Sequence, residues 1–142
     1  MRVKWVLLLA LTCATASAGR LDWTGSAACG ACHPRELAGW QATAHAVTRN
    51  RFADQRPASK CLGCHATGEA PAGPTVAIEV GCEACHGAGA AYSPDDVMRD
   101  RPVALALGLT DLATPKARAA LCATCHARMT RERPFDPMAK VH

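Results

Sequence analysis

The chain has 142 residues, of which 49% are hydrophobic but only 4% aromatic, and its formal net charge is +4. This length predicts one domain, and the shortage of large side chains excludes a core built from bulky residues alone, because small domains already bury little apolar surface. No basic run with interleaved aromatic residues occurs, so the charge does not indicate a nucleic-acid partner.

Residues 1–18 have the pattern of a signal peptide, with a positively charged start, a short apolar stretch and the small-x-small cleavage site Ala16-Ser17-Ala18. The apolar stretch is too short to span a bilayer. We therefore expect cleavage after Ala18, a periplasmic domain of residues 19–142 and no stable membrane insertion. A retained N-terminal anchor and a lipid-modified Cys13 are the alternatives.

Four copies of Cys-x-x-Cys-His occur in the remaining chain. This spacing is typical of c-type haem attachment, since two thiols three positions apart reach one porphyrin and the adjoining histidine binds its iron. The predicted attachment residues are Cys29, Cys32, Cys61, Cys64, Cys82, Cys85, Cys122 and Cys125. The predicted proximal iron ligands are His33, His65, His86 and His126. Zinc ribbons or a disulfide framework also use paired cysteines, but neither requires a histidine after all four pairs.

Four covalent haem c groups would change the meaning of the charge. Loss of Arg2 and Lys4 with the signal peptide lowers the formal charge from +4 to +2, and eight ionised propionates would bring it to about −6. The apparent basicity is therefore no evidence for an anionic membrane surface as partner.

The secondary structure is expected to be helices and loops. A helix is predicted over residues 35–51, which are rich in Ala and contain one glycine, Gly39. Residues 67–74 have the glycines and prolines of a loop, and residues 75–80 are compatible with a short strand. A further helix is predicted to begin at Pro115, just before the fourth motif.

These elements predict a small single-domain multihaem cytochrome that is mainly α, with extensive loops and little β, organised around four covalent haems. Gly87 and Gly89 directly follow the third motif. Because they have no side chain, they should allow backbone or a neighbouring haem to come close.

The number of histidines limits the distal iron ligands. The chain has six histidines, four of them in the motifs, which leaves His45 and His142. At most two irons can therefore have two histidine ligands from this chain, and the others bind methionine, another donor, water or nothing. Met98 is the preferred methionine candidate. On a continuous helix His45 would lie about 18 Å from His33, so it should reach a different haem, although a purely structural histidine is the alternative.

Two longer elements are more specific than the haem motif itself. They are Trp-x-x-Thr-Ala-His, which ends at His45, and Gly-Cys-Glu-x-Cys-His-Gly-x-Gly, which spans Gly81 to Gly89. With the four motifs and the Pro-Phe-Asp-Pro of residues 134–137, they make the chain resemble the tetrahaem cytochrome c-554 family of nitrifier-type multihaem c-type cytochromes.

The resemblance implies a set of distal ligands. It implies that His45 binds the third haem, that of His86, and that a C-terminal histidine caps the fourth haem, that of His126. In this chain His142 would fill the second role. The resemblance also implies that the second haem, that of His65, is five-coordinate.

The first haem is where the sequence departs from the family. A histidine shortly after the third motif caps this haem in the family, whereas this chain has Asp96 near that place. The distal ligand of the first haem is therefore open, with Met98 as one candidate.

The sequence and the resemblance together predict a periplasmic electron carrier that exchanges electrons with other redox proteins in transient complexes. The alternative is a reductase of a small nitrogen oxide, such as nitric oxide, at an open five-coordinate haem. No acid–base constellation that would assign catalytic residues is evident in the sequence.

Overall fold

The computed structural model describes residues 22–52, 58–68, 75–127 and 142. Over these residues the chain is mainly helical, with short helices joined by turns and loops and one small hairpin. The helices are α1 (Ser26–Gly30), α2 (Pro34–Gln41), a 3-10 helix (Thr48–Phe52), α3 (Ser59–His65), α4 (Cys82–His86), α5 (Asp95–Met98), α6 (Arg101–Ala106) and α7 (Pro115–His126). The predicted fold class is thereby confirmed. The predicted signal peptide lies outside the described residues.

α1 and α2 pack together at a sharp corner. The backbone N–H of Leu37 donates to the His33 carbonyl at 3.0 Å, so α2 begins immediately after His33 with Pro34 in its first turn. A side chain on Gly30 would collide with the Leu37 side chain. The absence of a side chain at Gly30 therefore allows the two helices to meet closely.

The helix predicted over residues 35–51 is wrong in extent, because α2 ends at Gln41 and helical structure resumes only in the 3-10 helix. At the break the Thr43 N–H and the Thr43 hydroxyl both donate to the Trp40 carbonyl, at 2.8 and 2.7 Å. This turn takes the carbonyl that the next helical residue would need. Threonine side chains compete with helical hydrogen bonds in this way.

β1 (Thr67–Gly68) and β2 (Thr75–Ala77) form an antiparallel pair. The short strand predicted within residues 75–80 is confirmed over its first three residues. The predicted loop of residues 67–74 begins with β1, and residues 69–74 lie outside the described part of the chain.

Residues 79–81, which we call the hub, bond to two other parts of the chain. The Ser26 hydroxyl donates to the Glu79 carboxylate at 2.9 Å. The Thr67 hydroxyl donates to the Glu79 carbonyl at 2.8 Å and accepts from the Gly81 N–H at 2.9 Å. A Cβ on Gly81 would lie 2.5 Å from the Ser26 hydroxyl oxygen. The hub, which directly precedes α4, therefore connects the start of this helix to the start of α1 and to β1, the strand that follows the second motif.

The hub also holds the segment that contains His45. The Trp40 indole N–H donates to the Val80 carbonyl at 2.9 Å, and the Val80 N–H donates to the His45 carbonyl at 3.1 Å. Trp40 is buried, so both hydrogen bonds are supported by packing. The His45 backbone is thereby fixed beside the third motif.

α4 ends at His86 and is followed by Gly87, which has φ 86° and ψ 167°. The chain then folds back so that the Thr110 N–H donates to the His86 carbonyl at 2.9 Å. A Cβ on Gly87 would lie 2.5 Å from the Gly108 carbonyl oxygen. The close backbone approach predicted at Gly87 is therefore confirmed.

α7 begins as predicted, with Pro115 in its first turn. The hydroxyl of the preceding residue, Thr114, accepts from the Ala117 N–H at 3.1 Å and caps the helix. The helix continues to His126, so the whole fourth motif lies in its last turns.

The polypeptide itself forms only a small apolar core among the described residues. The buried hydrophobic residues are Trp40, Leu62, Ala66, Tyr92 and Ala104. Nearly as many polar residues are buried, namely Ser26, Thr48, Thr67 and Glu83. None of the described helices is long and apolar enough to cross a membrane.

Candidate functional site

All four motifs lie on or beside helices. The second, third and fourth motifs are helical throughout, and their histidines end α3, α4 and α7. The first motif is divided between α1 and the turn before α2, where His33 is the N-terminal cap residue. None of the eight motif cysteines forms a disulfide. The described residues also contain no group of three or more His, Cys, Asp or Glu side chains arranged to hold a bare metal ion.

The first and third motifs are neighbours. α1 contacts α4, and the Cys82 N–H donates to the Ser26 hydroxyl at 3.3 Å. Burial raises the pKa of the Cys29 thiol, and the nearby Cys82 and Glu83 raise it further. The sulfur atoms of Cys29 and Cys82 therefore lie in one partly buried cluster, although 53 positions separate these residues in the sequence.

The third motif is in turn close to the fourth. Burial raises the pKa of the Cys85 thiol to about 11, and the thiols of Cys122 and Cys125 add to this effect. Such coupling requires the three sulfur atoms to lie near one another. The second cysteine of the third motif therefore lies in the same region as the cysteine pair of α7.

The fourth motif contacts the second. α3 packs against α7, and the Cys125 sulfur lies 3.9 Å from the Gly63 carbonyl oxygen. The spatial order of the motifs is therefore first, third, fourth, second, which differs from their order in the sequence.

Two pairs of histidine rings lie close together across this arrangement, one pair edge to face and the other tilted. The ring centres of His45 and His126 are 6.0 Å apart, and those of His86 and His142 are 6.1 Å apart. Two imidazoles that bind one iron from opposite sides have ring centres roughly 6 Å apart, because each metal–nitrogen bond is about 2 Å long and each nitrogen lies about 1 Å from its ring centre. The residues present therefore fit a haem iron with two histidine ligands at the third and fourth motifs.

Burial lowers the pKa values of His45 and His86. In each case the facing histidine, His126 or His142, lowers the pKa further. Both effects favour the neutral imidazole, which is the form that binds a metal.

The pairing of these histidines differs from the one that the resemblance implies. His45 faces His126 of the fourth motif instead of His86 of the third, and His142 faces His86 instead of His126. These ring positions therefore favour a different pairing, and which haem each histidine binds stays a prediction. One physical reason lies in Gly39 of α2, where a Cβ would be 3.2 Å from the Cα and carbonyl carbon of His142. His142 thus lies against α2, on the side from which it reaches His86.

The second motif has a different neighbour. The ring of Phe52 contacts that of His65 edge to face, with ring centres 5.2 Å apart. A phenyl ring offers no atom that binds iron, and this separation is shorter than that of the two histidine pairs. The predicted five-coordinate haem at His65 stays a prediction.

Met98 is half-buried at the end of α5. It remains a candidate distal ligand of the first haem. This ligation also stays a prediction.

Glu83 is a site residue that the sequence analysis did not identify. It lies between the two cysteines of the third motif and is only 2% exposed. Its carboxylate accepts from the N–H groups of Thr24, Gly25 and Gly89 at 2.9, 2.8 and 2.6 Å, and from the Thr24 hydroxyl at 3.2 Å. The sequence signal that could have pointed to Glu83 is its position between Gly81 and Gly89. Glycines leave room for backbone amides to approach a carboxylate.

Tyr92 lies next to this carboxylate. Its hydroxyl is shared between the carbonyl oxygens of Gly87 and His86, at 2.7 and 3.1 Å. Burial raises the pKa of Tyr92, and Glu83 raises it further, so the hydroxyl stays protonated and donates. Tyr92 thereby fixes the backbone that carries His86.

Comparison with known proteins agrees with these features. Four Cys-x-x-Cys-His motifs on or beside helices, together with the paired histidines, are features expected of c-type cytochromes with covalently attached haem. Within that class, residues 28–87 match the family described as cytochrome c554 and c-prime, a segment that contains the first three motifs. The resemblance to the cytochrome c-554 family is thereby confirmed. No curated protein and no solved structure gives a match.

Proposed function

We propose that this protein is a periplasmic electron carrier with four covalent haems, one at each Cys-x-x-Cys-His motif. The observation that supports it best is the presence of two pairs of neighbouring imidazoles, with ring centres 6.0 and 6.1 Å apart, beside two of the cysteine pairs. Bound haem iron supplies reversible one-electron chemistry, with a potential set by its axial ligands and surroundings. The eight cysteines would hold the four porphyrins, and His33, His65, His86 and His126 would bind the irons.

The contacts between the motifs support a linear electron path. α1 contacts α4 and α3 contacts α7, and the influence of the α7 thiols on the pKa of Cys85 links α4 to α7. Redox groups held on these helices would form a series whose ends are the first and second motifs. Electrons would enter at one end and leave at the other, so two different partners can dock without competing.

The two ends of this series are the proposed docking regions for redox partners. Cys32 at the first motif is exposed, so a haem attached there would have an edge near solvent. Redox encounters use small interfaces that separate quickly, and surface charge steers them. Export, which the first 18 residues predict, places these partners in the periplasm.

A second candidate function rests on the surroundings of His65. Phe52 is the ring that contacts this histidine, and it supplies no ligand atom. An iron held by His65 would accept a small ligand if no donor from elsewhere in the chain reaches it. Reduction of a small nitrogen oxide such as nitric oxide is therefore the alternative.

The test begins with protein that has passed through a c-type cytochrome maturation system. Intact mass should show four haems on a chain that starts at Gly19, and the spectrum of the oxidised protein should contain at least two low-spin haems with paired histidine ligands. Replacing Cys122 and Cys125 with Ser provides the control, since it should remove one haem and one low-spin signal.

Two results decide between the candidate functions. An electron carrier that has been reduced should be reoxidised once per haem by a redox protein and should not consume nitric oxide continuously. Sustained consumption of nitric oxide under excess reductant would support the reductase. A mass showing zinc, or four disulfides, would contradict both.

A further inference from the structure

The Glu83 carboxylate is a buried charge held by neutral groups. Its four hydrogen bonds come from three backbone N–H groups and one hydroxyl, and all of these groups donate. Donors alone satisfy a carboxylate in its ionised form. Because none of these partners has a formal charge, the donors reduce its field without cancelling the net negative charge.

This charge lies between two haem attachment sites. Glu83 separates the cysteines of the third motif in the sequence, and its hydrogen bonds to residues 24 and 25 bring it to the start of the first motif. Its charge contributes to the raised pKa of Cys29 and to that of Tyr92. The field of the carboxylate therefore reaches the thiol that would bind the first haem as well as the surroundings of the third.

We propose that Glu83 lowers the reduction potentials of the haems held by the first and third motifs. This inference rests on the proposed function, since it requires those haems. A fixed negative charge stabilises the ferric over the ferrous state, because the ferric centre has one more positive charge. The effect is large in a buried position, where the effective dielectric constant is low and salt screens little.

The test is the Glu83→Gln variant, which removes the charge and keeps the size of the side chain. We expect at least one of the four midpoint potentials to rise. A tenfold shift of the ferric–ferrous equilibrium towards the ferrous form corresponds to about 59 mV for a one-electron centre. The matched control is Asp95→Asn, which neutralises an exposed carboxylate paired with Arg99. In 150 mM salt the control should change the same equilibrium by less than twofold, since exposed charges are screened.

A second variant distinguishes the field from a purely structural role. Thr24→Val removes the hydroxyl donor from the carboxylate but retains the charge and the backbone donor. The less compensated charge should then lower the same midpoint potential, so the two variants shift it in opposite directions. A loss of packing alone would not give shifts of the midpoint potential with opposite signs in the two variants. Thr24→Val also keeps the test possible if Glu83→Gln fails to mature.

The haem count is measured first in every sample. Wild-type protein with fewer than four haems would contradict the proposed function itself. If all four haems are present but no midpoint potential changes in Glu83→Gln, the role of Glu83 is overturned. The same holds if Glu83→Gln and Thr24→Val shift the midpoint potential in the same direction. Neither result would contradict the proposed electron carrier.

Discussion

Gly87→Ala provides a quantitative test of how the third motif is held. At φ 86° and ψ 167° the residue occupies a backbone region that is essentially restricted to glycine, and another residue there costs about 1–3 kcal/mol. The new Cβ would also lie 2.5 Å from the Gly108 carbonyl oxygen, a backbone atom that cannot rotate away. Moving these two backbone segments apart would weaken the hydrogen bond from the Thr110 N–H to the His86 carbonyl, which contributes about 0.5–1.5 kcal/mol. The sum predicts a loss of about 1.5–4.5 kcal/mol in the free energy of unfolding.

The measurement is guanidinium chloride unfolding of the haem-loaded protein, followed by far-ultraviolet circular dichroism. Gly63→Ala is the matched control, because a Cβ there meets nothing within 4 Å and the residue lies inside α3. The equivalent position is alanine in the first and third motifs, at Ala31 and Ala84. The control should be neutral or stabilising by up to about 1 kcal/mol. A loss below about 1 kcal/mol in Gly87→Ala would refute the steric argument.

Three further predictions concern the ligands and their support. His45→Ala should convert one low-spin haem to high spin. The substitution should have no such effect in a variant that lacks the fourth haem. A spin change that persists in that variant would support the pairing implied by the resemblance, in which His45 binds the third haem. Tyr92→Phe should lower the free energy of unfolding by about 0.5–1.5 kcal/mol, because two carbonyl oxygens lose their shared donor, and the same denaturant experiment measures it. Reduced protein should bind carbon monoxide at one haem, assigned to His65, and a spectrum unaltered by the gas would exclude an open iron.

The four Cys-x-x-Cys-His motifs could be recognised in the sequence because they are local. Two cysteines and the next histidine occupy five consecutive positions, so their spacing alone predicts the chemistry. The start of α7 was predictable for a similar reason, since Thr114 and Pro115 are a helix cap and a first-turn residue.

The histidine pairing was not predictable in this way. It depends on contacts between residues far apart in the sequence, such as His142 against Gly39, for which spacing along the chain provides no rule. The end of α2 was missed because alanine content favours a helix through residue 51, whereas the Thr43 side chain and the bond from Trp40 to the hub favour a turn. In both cases tertiary contacts overcame local preference.

The hydrogen bonds between Glu83 and the residues just before the first motif also limit when this part of the chain can fold. The N–H of Gly25 donates to the Glu83 carboxylate, which lies 58 positions further along the chain. In a chain that is exported as proposed, the first Cys-x-x-Cys-His segment therefore cannot adopt these contacts until the third motif has also crossed the membrane. An enzyme that attaches haem during that interval would meet the first segment as an open peptide.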